Sequence, residues 1–277
     1  MTRDTSFMNF SDLAIYFKKI EQTPSRNAMT EILSDLFHKA HQSEIGKICY
    51  LLQGRVVPLY ESVEFGVADK FMIRAIAQAY AIDEQKILAL YKKEGDLGIA
   101  AELAHGISTA THKKQSHNSI VDVYEALFAL ARESGIGSQE KKITLLAELF
   151  ANSDALSARY IARIPLDKLR LGFSDMTMLD SLSWMLSGDK SERPELERAY
   201  NVRPDIGLLA ETVKEHGIKG LAHVKAHVGA PILAALCQRI PTADEMIKKM
   251  GEVAVEPKYD GVRVQIHFQK IKRQEDG

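Results

Sequence analysis

Most of this sequence repeats its apolar residues with the period of an α-helix. The first repeat places five apolar side chains on one helical face: Phe10, Leu13, Ala14, Phe17 and Ile20. Further stretches, such as 139–151 and 155–163, continue this period to about residue 217, and glycine or proline residues separate them. Because short helices cannot bury their apolar faces alone, about a dozen of them must pack together. The sequence therefore predicts an all-α domain over residues 1–220.

The periodicity changes near residue 252, where apolar and polar residues begin to alternate. This alternation covers residues 253–256 and 262–268, on either side of Asp260-Gly261. Asp-Gly between alternating stretches is typical of a β-hairpin. A short helix over 242–250 is predicted just before it. Since two strands are too few for a domain, we expect residues 221–277 to be the incomplete beginning of a sheet-containing domain, and the fold class to be mainly α.

The composition excludes several classes of protein. With 45% hydrophobic and 26% charged residues, the chain resembles a globular protein rather than a disordered one. No apolar run approaches the ~18 residues that span a bilayer, and no signal-peptide core follows residues 1–6. Cys49 and Cys237 are too few for a disulfide scaffold or a cysteine-rich zinc site. We expect a cytoplasmic monomer that has no membrane partner.

The net charge of −1 hides an uneven distribution of charge along the chain. Residues 159–173 carry four basic side chains against one acidic side chain. Residues 258–273 carry five basic side chains against one. A surface that faces phosphate groups is therefore compatible with this composition, since local charge rather than net charge decides such binding.

The strongest chemical signal lies between Glu256 and Arg263. Lys258 stands beside the Asp260-Gly261 turn, so its amine is positioned by the backbone. A lysine amine becomes a nucleophile when it is desolvated or placed near a second cation. Arg263 is a candidate for that cation and for binding phosphate or ribose oxygens. The same residues also fit an ordinary hairpin with a surface lysine and arginine, and the motif alone leaves both interpretations open.

The Lys258 motif and five motifs that precede it in order give the chain a resemblance to a known family. Lys258-Tyr259-Asp260-Gly261-Val262-Arg263 resembles the Lys-x-Asp-Gly-x-Arg signature of ATP-dependent DNA ligases, RNA ligases and mRNA capping enzymes. The helical region is similar to the DNA-binding domain of archaeal and eukaryotic-type ATP-dependent DNA ligases. It contains their motifs in the same order: Gly95-Asp96-Leu97-Gly98, Ser134 to Lys141, Lys168 to Gly172 and Pro204 to Gly207. Gly229 to Ile232 resembles the start of their adenylation domain, an α+β nucleotidyltransferase fold.

The resemblance implies a role for each residue of the Lys258 motif. It makes Lys258 the nucleophile that attacks the α-phosphate of ATP and holds AMP as a phosphoramidate. Glu256 would lie beside the adenine, Arg263 would contact the nucleotide, and Asp260 would orient Lys258 and the ribose side. The family then transfers AMP to the 5′-phosphate of a nick, and the 3′-hydroxyl displaces it. Mg²⁺ is the expected metal for such phosphoryl transfer, and its family ligands lie mostly downstream.

The resemblance also assigns contact with the DNA backbone to three loops of the helical region. The residues are Gly95, Gly98, Gly135, Gly137, Ser138, Lys141, Lys168, Arg170 and Gly172. Helix starts and exposed cations bind phosphates, so this contact would be independent of base sequence and sensitive to salt. An ordinary glycine turn with Ser138 as helix cap, or a solvated basic loop, is the alternative for these positions. The expected partner is nicked duplex DNA, and a sliding clamp is a further candidate.

Two alternatives and one departure qualify the family assignment. The chain could be a non-catalytic DNA-binding module, in which the hairpin is idle. An RNA ligase or capping enzyme would keep Lys258 but leave the helical domain unexplained. Pro257 departs from the ATP-dependent pattern, because Glu-Pro-Lys is usual in NAD-dependent ligases. Those enzymes carry a four-cysteine zinc module, which two cysteines cannot form. We expect this chain alone to bind DNA without ligating it.

Overall fold

The computed structural model describes residues 7–108, 118–234, 239–257, 259–262 and 264–270. These residues form thirteen α-helices and one 3-10 helix. The α-helices are α1 (Phe10–Glu21), α2 (Arg26–Lys39), α3 (Gln42–Leu52), α4 (Asp69–Tyr80), α5 (Glu84–Glu94), α6 (Leu97–Ile107), α7 (Ile120–Arg132), α8 (Ser138–Ala151), α9 (Ala155–Arg163), α10 (Asp175–Ser187), α11 (Arg193–Val202), α12 (Ile206–His216) and α13 (Ala243–Met250). The 3-10 helix is Ile218–His223. The prediction of a mainly helical protein is confirmed.

Helices α6 and α9 pack closely against each other. Both helices carry small buried residues: Ala100, Ala101 and Ala104 on α6, and Ala158 and Ala162 on α9. Gly98 belongs to the same contact, because a Cβ atom there would lie 2.5 Å from the carbonyl oxygen of Arg159. The two helices can therefore approach only with a glycine at this position.

The other helices pack in pairs around a continuous apolar core. The pairs include α3 with α12, α2 with α10, and α4 with α8. Among the described residues, this core extends from Phe10 to Leu221. The core is consistent with one helical unit, and the division of the chain at residue 220 stays a prediction.

The region after the core differs from the sequence-based expectation. Helix α13 forms where it was predicted, and the Thr242 side chain accepts a hydrogen bond from the Glu245 N–H. No strand is present among the described residues of 253–270, so the predicted hairpin is wrong for them. Val262 and Ile266 are 90% and 92% exposed. An amphipathic strand pair needs a packing partner for its apolar face, and the described residues supply none.

None of the helices described here is long and apolar enough to cross a membrane.

Candidate nucleic-acid interface

The loop between α9 and α10, residues 164–174, presents two cations to solvent, and we call it the basic loop. Lys168 and Arg170 are exposed, whereas Leu171 is buried. The turn is closed by the Lys168 N–H, which donates a 3.0 Å hydrogen bond to the Arg163 carbonyl oxygen. Gly172 completes the loop at a φ of +78°, a value that glycine adopts readily. The predicted exposure of these two basic side chains is confirmed.

The other two cations of residues 159–173 point into the protein instead of outward. Arg159 forms an ion pair with Glu102 on α6. Arg163 is buried, and its guanidinium lies 3.0 Å from Asp96 and 2.8 Å from Glu21. Only half of the four basic residues counted in the sequence are therefore available to an external phosphate.

The turn before α6, residues 95–98, uses its two glycines for different purposes. Gly95 ends α5 at a φ of +72° and is exposed. Asp96 caps α6 by accepting a 2.9 Å hydrogen bond from the Ile99 N–H. Gly98 is buried at the crossing with α9, so close packing accounts for it without any DNA contact. Gly95 and Lys168 line one small cleft, which places two of the predicted DNA-binding motifs side by side.

The third predicted motif is the glycine loop, residues 133–137, which precedes α8. Gly135 and Gly137 have φ values of +84° and +81°, and a Cβ on either would meet nothing within 4 Å. Gly137, not Ser138, is the N-cap, and no side chain caps the helix. The start of α8 is therefore open, as a phosphate site requires. Lys141 is exposed in the first turn, where it also lies 3.5 Å from Glu133.

Sequence reasoning missed the connecting segment, residues 53–68, which lies between these motifs. The Lys142 ammonium of α8 donates a 2.6 Å hydrogen bond to the Phe65 carbonyl oxygen. Residues 63–68 of the segment and residues 164–167 of the basic loop line one cleft. The segment therefore joins the start of α8 to the basic loop, and it had no periodic pattern that would have drawn attention to it.

Arg55 in the connecting segment is a cation that the sequence analysis did not consider. Its half-buried side chain lines the cleft beside residues 164–167 and a second cleft beside Leu169 and Leu171. No ion pair within the part of the chain that the structure describes includes Arg55, Lys168 or Arg170. The sequence did contain a signal for this cation, because Arg55 follows Gly54 in a stretch without helical spacing, where a side chain of a loop is expected.

Asp205 explains the motif Pro204 to Gly207 in structural terms. Its buried carboxylate caps α12 by accepting from the Leu208 N–H at 3.0 Å. The Tyr50 hydroxyl donates to the same carboxylate at 2.6 Å, and the Tyr60 hydroxyl lies 3.5 Å away. The pKa of Tyr50 is raised, mainly by burial of its hydroxyl and in addition by the negative charge of Asp205. The motif thus supports the connecting segment through Tyr60.

The predicted adenylation residues are not brought together by the described structure. Lys258 and Arg263 lie outside the described residues. Glu256 and Asp260 are exposed. Gly229 does contact a later part of the chain, because its N–H donates a 3.1 Å hydrogen bond to His267 Nδ1. Among the described residues, no group of three or more His, Cys, Asp or Glu side chains is placed to hold a metal ion.

Comparisons with known proteins give one consistent result. The family model described as DNA ligase N terminus matches residues 9–183. A probable DNA ligase of Dictyoglomus thermophilum is 44% identical over 260 residues, which cover 94% of this chain and 44% of the relative. DNA ligase 2 of Thermofilum pendens is 40% identical over 93% of this chain and 44% of its own length. A DNA ligase of Pyrobaculum islandicum is 41% identical, with 95% and 45% covered. The chain thus spans less than half of these relatives.

Proposed function

This chain belongs to the family of ATP-dependent DNA ligase N-terminal regions, and from that premise we propose that its helical part grips the backbone of nicked duplex DNA. The observation that carries the proposal is the group of three cations Arg55, Lys168 and Arg170. They have no carboxylate partner among the described residues. Arg55 and Lys168 line clefts beside the basic loop, and Arg170 is exposed on the loop itself. Neighbouring Arg159 and Arg163 are paired internally, so they are not counted among the cations available to a phosphate.

The proposed interface consists of the basic loop, the connecting segment, the turn at Gly95 and the open start of α8. Phosphate oxygens would accept hydrogen bonds from the arginine forks and from the free N–H groups at the helix start. Such contacts recognise the backbone and not the bases. Each neutralised phosphate contributes a slope of about −0.9 to the dependence of log affinity on log salt. The proposal therefore predicts binding that is independent of sequence and weakens steeply with salt.

For the parent enzyme we propose the nick-sealing reaction of the DNA ligases. The Lys258 amine would lose its proton and attack the α-phosphate of ATP, which forms a P–N bond and expels pyrophosphate. The 5′-phosphate of the nick would take AMP from Lys258, and the 3′-hydroxyl would then form the phosphodiester and release AMP. Glu256, Asp260 and Arg263 are the proposed nucleotide-binding residues. ATP and Mg²⁺ are the proposed cofactors, and none of the described residues is proposed as a Mg²⁺ ligand.

The remaining parts of the proposal concern the organisation of the parent enzyme. Residues 1–220 are proposed to form the DNA-binding domain, and residues 221–277 to begin the adenylation domain. We propose a cytoplasmic monomer with a role in DNA replication, repair or recombination. A sliding clamp is a proposed partner.

The test of the proposed function is a fluorescence-anisotropy titration of the 277-residue chain against a nicked duplex across a salt series. Intact duplex and single-stranded RNA serve as competitors. We expect micromolar or tighter duplex binding that weakens steeply with salt, with intact duplex competing better than RNA. Absence of duplex binding at low salt, or stronger competition by RNA, would contradict the proposal.

A further inference from the structure

Arg163 lies at the end of α9, where the turn before α6 and the basic loop meet. Its side chain is only 8% exposed. The same residue lines the small cleft that Gly95 and Lys168 share. An arginine in this position is too deeply placed to act mainly as a surface charge, so its contacts within the protein indicate its role.

The guanidinium of Arg163 joins three elements. Its Nε donates to both carboxylate oxygens of Asp96 at 3.2 and 3.1 Å, and Nη1 donates to Glu21 at 2.8 Å. Asp96 is the cap of α6, and Glu21 is the last residue of α1. The Tyr160 hydroxyl donates to Glu21 at 2.9 Å and completes the network. One planar guanidinium thus links α1, α6 and α9 and restrains their relative orientation.

The backbone of Arg163 holds the basic loop as well. Its carbonyl oxygen accepts the 3.0 Å hydrogen bond from the Lys168 N–H. Asp167, immediately before Lys168, has a φ of +54°, which is an uncommon conformation for a residue other than glycine. The position of Lys168 in the basic loop therefore depends on the position of the end of α9.

The positive charge of Arg163 has a second effect, on the electrostatic potential of this surface. Asp96 and Glu21 are acids close to a region proposed to meet phosphate groups. The guanidinium opposes their charge where it would otherwise repel DNA. Although burial raises the pKa of Asp96, the hydrogen bonds from Arg163 and Ile99 lower it below its ordinary value, so the carboxylate is ionised at neutral pH.

We propose that Arg163 is a positioning residue for DNA binding, which holds the turn at Gly95 and the basic loop in their binding arrangement without itself contacting DNA. This inference rests on the proposed function. It also gives the buried cation of residues 159–173 a role: Arg163 places the exposed Lys168 and Arg170.

The test compares two conservative variants of the 277-residue chain, R163K and R159K. Both keep the charge, and both replace a guanidinium that pairs α9 with α6. Arg159 is the matched control because its pair with Glu102 does not include the α6 cap. Binding to a nicked duplex is measured by anisotropy at a temperature where circular dichroism shows every variant folded.

We expect R163K to weaken duplex binding about tenfold. A single ammonium nitrogen cannot reproduce the separate contacts of Nε with Asp96 and of Nη1 with Glu21, so the loop loses its preorganisation. R159K should stay within about twofold of the unchanged chain. The salt slope of R163K should equal that of the unchanged chain, because no phosphate contact is lost. In a K168A/R170A background, R163K should have little further effect, because the residues that it positions are absent.

Several results would overturn the inference. Equal affinities of R163K and the unchanged chain would remove the positioning role. A salt slope reduced by about 0.9 would make Arg163 a direct phosphate contact instead. A full tenfold loss in the K168A/R170A background would show that Arg163 acts independently of the basic loop. Failure of the unchanged chain to bind DNA would overturn the proposed function together with this inference, so the two failures are distinguishable.

Discussion

The hydroxyl of Tyr50 on α3 donates a 2.6 Å hydrogen bond to the carboxylate of Asp205, which caps α12. The two residues are 155 positions apart in the sequence. Their approach depends on Gly207, because a Cβ atom at that position would lie 2.4 Å from Cζ of the tyrosine ring. The motif at residues 204–207 thus acts on the candidate interface from a distance, by anchoring the end of α3 from which the connecting segment departs.

The contact between Gly207 and Tyr50 predicts a strong effect of one added methyl group. G207A should lower the free energy of unfolding by about 1–3 kcal/mol, because the ring must move out of a packed position. G106A is the control, since Gly106 is also helical and a Cβ there meets nothing within 4 Å. It should be neutral or stabilise the protein by up to about 1 kcal/mol. Urea unfolding followed by circular dichroism measures both, and equal changes would contradict this packing.

The two tyrosines at Asp205 should differ in their contribution to stability. Y50F removes a short hydrogen bond to a buried carboxylate and should destabilise the protein by about 1–3 kcal/mol. Y60F removes a contact at 3.5 Å and should cost less, about 0.5 kcal/mol. Urea unfolding of the two variants gives the comparison. A larger loss for Y60F than for Y50F would show that Tyr60 is the main partner of Asp205.

Lys142 connects α8 to the connecting segment, and its removal should be costly. K142M keeps the apolar stem but leaves the Phe65 carbonyl oxygen without its 2.6 Å donor. We expect a loss of about 1–3 kcal/mol in the free energy of unfolding. K141M, at the exposed neighbouring position, should stay within about 0.5 kcal/mol of the unchanged chain. Similar stabilities for both variants, in the same urea experiment, would argue against the link between α8 and Phe65.

Asp96 should give the protein a stability component that depends on pH. Burial raises its pKa, but Arg163 and the Ile99 N–H outweigh burial and lower it in the folded state. A lowered folded pKa stabilises the protein above the ordinary aspartate pKa of about 4, and this stabilisation is lost as the pH falls through the lowered value. The difference in unfolding free energy between the unchanged chain and D96N should be constant from about pH 7 to 5 and shrink below about pH 4. A difference that does not change with pH would refute the role of this ion pair.

The nucleophile is tested in the full-length enzyme. K258A should abolish the AMP-labelled protein that forms with radioactive ATP, because no other amine would be positioned to attack the α-phosphate. Binding to nicked duplex should be largely retained, since the proposed DNA contacts lie on the helical part. Persistent labelling of K258A would exclude Lys258 as the nucleophile, and loss of labelling together with DNA binding would point to misfolding.

Local sequence patterns predicted the helices well because their causes are local. The apolar spacing predicts a helix over 155–163, and α9 has these limits. The exposure of Lys168 and Arg170 follows in the same way from their place between two helices. Periodicity and chain breakers depend on neighbouring residues, so one sequence suffices to identify them.

The parts that the sequence did not predict depend on distant residues. Arg163 counted as a surface cation, but its partner Glu21 lies 142 positions away and withdraws it from solvent. Gly98 was assigned to DNA contact, whereas the carbonyl of Arg159 provides a packing reason for it. The hairpin expected around Asp260 needs other strands to cover its apolar side. Fold-level contacts of this kind cannot be inferred from spacing alone.

The most direct test of the account compares two double variants that remove the same charge from the 277-residue chain. K168A/R170A removes the two exposed cations of the basic loop, and K219A/K225A removes two exposed lysines outside the proposed interface. Anisotropy titrations with a nicked duplex across a salt series should show at least about tenfold weaker binding for K168A/R170A, with a salt slope smaller by roughly one to two units. K219A/K225A should bind like the unchanged chain. Equal losses in both variants, or none in K168A/R170A, would contradict the assignment of the basic loop to DNA.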